Sequence, residues 1–159
     1  MIKIFRVLHF LSGAAWLGEV LTINFVLLPA LRDLPTDRKP EFIRTIFPRL
    51  FKLASILALT AVFSGAVLVT LSAGWEKVLL QPFNRWGAAI LVGGILGLLL
   101  TAFHLVVESK LQPLVRSLSK EGDAEDLNRL LRFLDLVPRA GLGVILVITF
   151  LMAAAAHWL

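Results

Sequence analysis

The sequence contains no cysteine, no tyrosine and only two methionines, Met1 and Met152, among its 159 residues. The missing cysteines exclude disulfide bonds, thiolate metal sites and thiol catalysis. With so little sulfur, the chain offers almost no ligand suited to copper(I). It also lacks a phosphate-binding loop, an HExxH motif and a nucleophile–base pattern, so hydrolase and nucleotide-binding functions receive little support.

Long apolar runs dominate the chain, with 58% hydrophobic residues and a mean hydropathy of +0.85. A hydrocarbon core of about 30 Å needs roughly 20 apolar residues per helical crossing. Four segments meet this length and predict transmembrane helices at 4–31, 51–73, 86–107 and 139–158. The first is read as a retained helix, because its apolar run continues to Pro29 without a convincing cleavage site.

These segments predict an all-α fold, a four-helix bundle that is integral to a membrane and forms a single domain over residues 1–159. The linkers 32–50 and 108–138 would join the helices on one side, and the outer surface of the bundle would contact the lipid bilayer.

The basic residues are distributed unevenly along this topology. Twelve of the 16 lysines and arginines lie in or beside the two linkers, which are therefore predicted to be cytoplasmic, with both termini on the outer side. We expect the membrane to be the cytoplasmic membrane of a bacterium or archaeon. The formal net charge of +5 is explained by this topology and by contact with anionic lipid, so no nucleic-acid partner is predicted.

The two halves of the sequence share a repeated pattern. LPAL at 28–31 and QPLV at 112–115 each end a predicted helix, and Pro48-Arg49 and Pro138-Arg139 each open the following one. The pattern indicates two helical hairpins in the same orientation. Ordinary helix punctuation explains it equally, since proline suits a first helical turn and arginine a cytoplasmic boundary.

Polar residues form a stripe on the first predicted helix. His9, Ser12, Trp16, Glu19 and Ile23 fall within about an 80° sector at 100° per residue. An ionisable side chain that faces lipid costs at least ~2.5 kcal/mol, so the stripe is expected to face the interior of the bundle.

A second polar pair lies on the third predicted helix, where His104 and Glu108 are four residues apart and share a face. Aligning Pro29 with Pro113 gives Glu19 nearly the depth of His104. We therefore predict an inner cluster whose members are Glu19, Asn24, His104 and Glu108. The alternative is a purely structural role, in which these groups hydrogen-bond between helices or, for Glu108, lie at the interface.

The outer end of the bundle carries its own histidines, His9 and His157. They could share a haem iron or a metal ion if the first and fourth helices are neighbours. The alternative for His157 is that its polar ring simply contacts water at the interface. His9 and His104 are about half a membrane apart in depth, too far to hold one ion together.

A family resemblance rests on four short motifs: His9, Trp16-Leu17-Gly18, Pro29-Ala30-Leu31 and Phe47-Pro48-Arg49-Leu50. They resemble small multi-helix membrane proteins of the copper resistance protein D (CopD)-like family, and are similar to HemJ-type protoporphyrinogen oxidases. The resemblance to the HemJ group implies b-type haem with His9 as a ligand.

Three classes of function follow. The first is a haem-binding or redox membrane protein with His9 as axial ligand, Trp16 or an arginine beside the porphyrin, and His157 as a further candidate; Arg49 and Arg139 are the supporting arginines. The second is a CopD-like permease for a metal ion, another ion or protons, which uses Glu19, His104 and Glu108. The third is a non-catalytic subunit of a homodimer or larger membrane complex. Haem is the working hypothesis, and enzyme activity is left open.

Overall fold

A computed structural model of the chain describes residues 1–72, 74–80, 84–118 and 124–157. Every regular element in these residues is a helix. The elements are α1 (Ile2–Thr22), a π-helical turn (Ile23–Leu27), α2 (Leu28–Asp33), a 3-10 turn (Thr36–Arg38), α3 (Lys39–Ser72), α4 (Trp75–Leu80), α5 (Arg85–Ser117) and α6 (Ala124–His157).

Within the described residues, four helical segments are long and apolar enough to cross a membrane, at Ile2–Asp33, Thr36–Ser72, Arg85–Arg116 and Leu127–Ala156. Large apolar side chains cover the outside of these segments, among them Phe10, Phe63 and Phe150, each more than 60% exposed. Such an exposed apolar surface suits contact with lipid. The predicted all-α fold, with four helices long and apolar enough to span a membrane, is therefore confirmed.

The long helices pack in a ring, because α1 contacts α3, α3 contacts α5, α5 contacts α6, and α6 returns to α1. Neighbours in the ring run antiparallel. The N-terminus of α1 and the C-terminus of α6 consequently lie at one end of the bundle, here called the terminal end. The C-terminus of α2, the N-terminus of α3, the C-terminus of α5 and the N-terminus of α6 lie at the opposite end, here called the linker end. Which end faces the cytoplasm stays a prediction, as does the repeat of two hairpins.

The helix bounds differ from the prediction, since much of both predicted linkers is helical. α3 begins at Lys39, α5 continues to Ser117, and α6 begins at Ala124. The reason is an apolar cluster at the linker end, in which Ile43, Phe47, Leu111, Val115 and Leu130 are buried. Burial of these residues stabilises the amphipathic stretches as helix, although they lie outside the most apolar windows.

Two prolines that were expected to open helices lie inside them instead. Pro48 is within α3 and Pro138 is within α6. Proline removes one backbone donor from a helix, which costs several kcal/mol in isolation. Both helices nevertheless continue through these positions, because each segment before the proline is held in the apolar cluster at the linker end.

Charged side chains also connect the helices at the linker end. Arg32 at the end of α2 and Arg139 in α6 both donate to the carboxylate of Asp135. Lys39 at the start of α3 donates to the backbone oxygen of Arg32. These exposed contacts link α2 with α3 and α6 but add little stability, and the apolar cluster supplies most of the packing energy.

Close helix contact depends on small residues. On α5, Gly93, Gly97 and Thr101 form a buried stripe. A Cβ atom added at Gly93 would clash with the terminal methyl of Met152 in α6. Between α1 and α3, a Cβ atom added at Gly65 would lie 2.9 Å from Cε1 of His9. The imidazole of His9 therefore packs directly on the backbone of α3.

Replacing Gly65 with alanine is expected to lower the free energy of unfolding by about 1–3 kcal/mol. The imidazole of His9 is fixed by a hydrogen bond from its Nδ1 to the backbone oxygen of Ala61, at 2.8 Å, so it cannot move aside without loss. Gly94→Ala is the control, because a Cβ there meets nothing within 4 Å. Thermal unfolding in detergent would compare the two, and equal melting temperatures would contradict the tight packing of His9 on α3.

Candidate functional site

A cavity of about 90 Å³ lies between the long helices and is partly open to the outside of the bundle, where its lining residues Phe103 and Phe133 are exposed. It is lined by all four long helices and lies between two apolar clusters, one at the linker end and one around Trp16, Ala54, Ala58 and Ile145. Among the described lining residues, Glu19 and His104 are ionisable, and the other side chains are apolar apart from the indole N–H of Trp16. The cavity can hold several water molecules, but it is well below the ~300 Å³ at which pockets for drug-sized molecules begin.

Glu19 is the most unusual group in the cavity. Glu19 is only 8% exposed, and neither of its carboxyl oxygens has a hydrogen-bond partner in the described part of the chain. A buried polar atom without a partner carries a desolvation cost, which is larger for a charged group. Glu19 therefore requires a proton, a cation or a polar molecule in the cavity to satisfy it.

His104 begins a hydrogen-bonded chain between α3 and α5. Its Nε2 lies 3.1 Å from the hydroxyl of Ser55 and 3.3 Å from the backbone oxygen of Phe51. Because a backbone oxygen can only accept, Nε2 carries the hydrogen and the neutral ring holds its lone pair on Nδ1. The hydroxyl of Ser55 in turn donates to Oε2 of Glu108. These contacts give the chain a direction, from His104 through Ser55 to Glu108.

The chain continues along α5 to the linker end. Gln112 donates from Nε2 to Oε1 of Glu108 at 3.0 Å, and Arg116 donates to Oε1 of Gln112 at 3.4 Å. The side chain of Glu108 is 16% exposed and Arg116 is on the surface. A continuous set of polar side chains thus connects the cavity with the surface at the linker end.

Asn24 contacts α6 and is separate from the chain that begins at His104. Its Nδ2 donates to the backbone oxygen of Val20 at 2.8 Å and to that of Pro138 at 3.0 Å, while its Oδ1 is buried without a partner in the described residues. The π-helical turn Ile23–Leu27 contains Asn24 and directs it towards α6. Such turns are frequent at functional sites. Ile23 and Pro138 both line the cavity, so this contact forms part of its wall.

The predicted inner cluster is therefore divided. His104 and Glu108 are joined through Ser55, Glu19 shares the cavity with His104, and Asn24 bonds to α6. Ser55 is the member that the sequence analysis missed. Its signal was a single hydroxyl in the apolar run Leu53–Leu59, a pattern common in transmembrane helices that bond only to their own backbone.

Metal binding gains no geometric support. Among the described residues, no group of three or more His, Asp or Glu side chains lies close enough to hold a metal ion. Glu19, His104 and Glu108 consequently do not form a three-ligand site there, and their role as metal ligands stays a prediction.

The haem candidates of the first helix lie in different surroundings. Trp16 is 6% exposed and lines the cavity, whereas His9 bonds to Ala61 and is not part of the lining. The cavity beside Trp16 is too small for a porphyrin, which exceeds drug-sized molecules in bulk. A haem on His9 would therefore lie outside this cavity. The side chain of His157 lies outside the described residues.

The two supporting arginines are also remote from the cavity. Arg49 is exposed on α3, and Arg139 is bonded to Asp135 at the linker end. Neither lines the cavity.

Comparisons of the chain with protein-family models, curated proteins and solved structures give no match. The CopD-like or HemJ-type resemblance accordingly stays a prediction.

Replacing Ser55 with alanine is expected to lower the free energy of unfolding by about 1–2 kcal/mol, because Glu108 and His104 each lose a buried partner. Ser109→Ala is the matched control, since the hydroxyl of Ser109 is exposed and bonds only to the backbone of its own helix. It should change stability by less than about 0.5 kcal/mol. Equal effects of the two changes in thermal or denaturant unfolding would contradict the polar contact between α3 and α5.

Proposed function

We propose that this integral membrane protein binds protons within the bilayer and transfers them between the cavity and the linker end. The observation that carries the proposal is the carboxyl group of Glu19, which is buried in the cavity with neither oxygen hydrogen-bonded in the described chain. Ionisable groups inside membrane proteins commonly mark proton or ion pathways.

The chemistry follows from the order of the groups. A proton on Glu19 can pass through water in the cavity to the lone pair on Nδ1 of His104. The imidazole can then release its other hydrogen from Nε2 to the hydroxyl of Ser55, which donates to Glu108. Glu108 is partly exposed, so it can exchange the proton with water near Gln112.

A purely structural role for Glu19 fits the geometry less well. A carboxyl group that joins helices should donate to or accept from a partner, as Asn24 and Ser55 do. Glu19 has no such contact in the described residues.

In this conformation, the polar groups near Glu19 lead towards the linker end. Towards the terminal end, Trp16, Ala54, Ala58 and Ile145 form a buried apolar cluster beside Glu19. Proton transfer across the whole membrane therefore requires this cluster to rearrange. We propose that the cluster does so transiently, which makes proton flux across the membrane the readout of transfer through Glu19. We place the linker end in the cytoplasm because of its basic residues.

Glu19→Gln is expected to reduce proton flux at least about tenfold, because the amide cannot exchange a proton at neutral pH while its shape is nearly retained. The measurement uses the purified protein in lipid vesicles, with a pH-sensitive dye inside and a potential imposed across the membrane. Glu76→Gln is the matched control, since Glu76 is an exposed carboxylate in α4 outside the cavity.

Circular dichroism and melting temperature would verify that both variants fold. Full proton flux in folded Glu19→Gln protein would refute the proposal and favour a structural membrane subunit, alone or in a larger complex.

Haem binding by His9 is the second candidate, and one contact favours it. The hydrogen bond from Nδ1 to the backbone oxygen of Ala61 fixes the ring and its tautomer, which leaves Nε2 with the lone pair. Histidines that ligate metals are commonly fixed by a backbone carbonyl in this way. Bound haem would supply one-electron redox chemistry, and His9 would supply an oriented ligand.

The second candidate predicts a Soret band and reducible α and β bands in protein purified from haem-replete cells. His9→Ala should remove these bands, because the axial nitrogen is lost, and Glu19→Gln should retain them, because Glu19 lies in the separate cavity. An absent Soret band in the wild-type protein would eliminate this candidate while leaving proton transfer unaffected.

A further inference from the structure

We propose that the cavity at Glu19 binds a short primary alkylammonium ion, such as methylammonium, in exchange for the proton of the Glu19 carboxyl group. The inference rests on the proposed function, because it assigns a second cationic ligand to the same carboxylate. It is carried by the charge, the lining and the size of the cavity.

The negative charge of an ionised Glu19 carboxylate favours a monovalent cation over a divalent one. Among the described residues of the lining, Glu19 is the one carboxylate, and the neighbouring imidazole of His104 is bonded to Ser55 and Phe51. One positive charge neutralises one carboxylate. A divalent metal ion would retain a net charge in an apolar environment, and it needs several oxygen or nitrogen ligands that the lining does not provide.

The lining selects a weakly hydrated cation over a strongly hydrated one. Five aromatic rings line the cavity, and they are contributed by Trp16, Phe47, Phe51, Phe103 and Phe133. The faces of aromatic rings attract ammonium groups, and the attraction increases when water is excluded. An alkylammonium ion also gains from burial of its carbon atoms against apolar walls. A sodium ion gains neither contribution and loses its hydration shell.

The size of the cavity limits the length of the alkyl chain. Its volume is about 90 Å³, whereas an apolar cavity of ~150 Å³ in another protein accepts benzene. Ions with one to three carbon atoms therefore fit, and bulky quaternary ions do not. The three N–H groups of a primary ammonium can donate to both oxygens of Glu19, which otherwise have no partner in the described residues.

The exchange balances in charge. The neutral carboxyl group of Glu19 releases one proton, and the resulting carboxylate pairs with one alkylammonium ion. No covalent bond other than the O–H bond breaks. The protein should consequently release one proton for each ion that it binds, and affinity should rise with pH, because protons compete for the same carboxylate.

The test measures binding of methylammonium chloride to the purified full-length protein in lipid nanodiscs. Isothermal titration calorimetry gives the affinity, and a pH indicator in weak buffer gives the released protons. Sodium chloride, methanol and tetrapropylammonium chloride serve as probes of charge, of neutral shape and of size. Saturable binding with about one proton released is expected for methylammonium alone.

Two variants locate the site independently. Glu19→Gln should weaken binding at least about tenfold and abolish proton release. Gly141→Leu should weaken it similarly by filling the cavity, because Gly141 lines the cavity and a Cβ there meets nothing within 4 Å. Gly143→Leu is the matched control. A Cβ at Gly143 also meets nothing within 4 Å, but this residue is exposed and does not line the cavity.

Three results would overturn the inference: no saturable binding of methylammonium, equal affinity for sodium, or unchanged affinity in both folded cavity variants. Its failure is distinguishable from failure of the proposed function. Loss of proton flux in Glu19→Gln, together with no binding of methylammonium to the wild-type protein, would retain proton transfer and remove the alkylammonium ligand.

Discussion

The central physical constraint on this protein is the scarcity of water in the hydrocarbon core of a membrane, where a polar group must find its partner within the protein. Most polar side chains of the long helices satisfy this constraint locally. Ser12 donates to the backbone oxygen of Leu8, Thr22 to that of Gly18, and Thr149 to that of Ile145. These groups impose no particular arrangement on neighbouring helices. The residues that bond between helices therefore carry most of the polar specificity of the bundle.

Those interhelical contacts divide the bundle into regions of different character. At the terminal end, His9 is fixed against the backbone of α3, with its ring on Gly65. At the linker end, α3 and α5 share the hydrogen-bonded contacts of Ser55, His104 and Glu108. Between them lies the cavity, where Glu19 is buried without a partner in the described chain. A fully partnered network favours rigidity, whereas an unpartnered ionisable group favours exchange of a ligand.

The length of the helices has a related consequence. α3, α5 and α6 contain 34, 33 and 34 residues, so each is about 50 Å long against a hydrocarbon core of about 30 Å. Each helix therefore extends beyond the apolar layer, and the cluster around Phe47 and Leu130 holds these extensions together at the linker end. This packing supports the wall of the cavity, since Phe47 and Leu134 belong to both.

The sequence by itself determined that the chain forms four long apolar helices, because hydropathy and helical period depend only on positions along one chain. It also indicated that His104 and Glu108 share a face, since four residues make about one helical turn. Tertiary structure alone decided that Ser55 joins these two groups, that Asn24 bonds to Pro138, and that much of both predicted linkers is helical. These outcomes depend on the rotation of each helix about its axis and on the packing between helices. Neither quantity is encoded in the spacing of residues along a single helix.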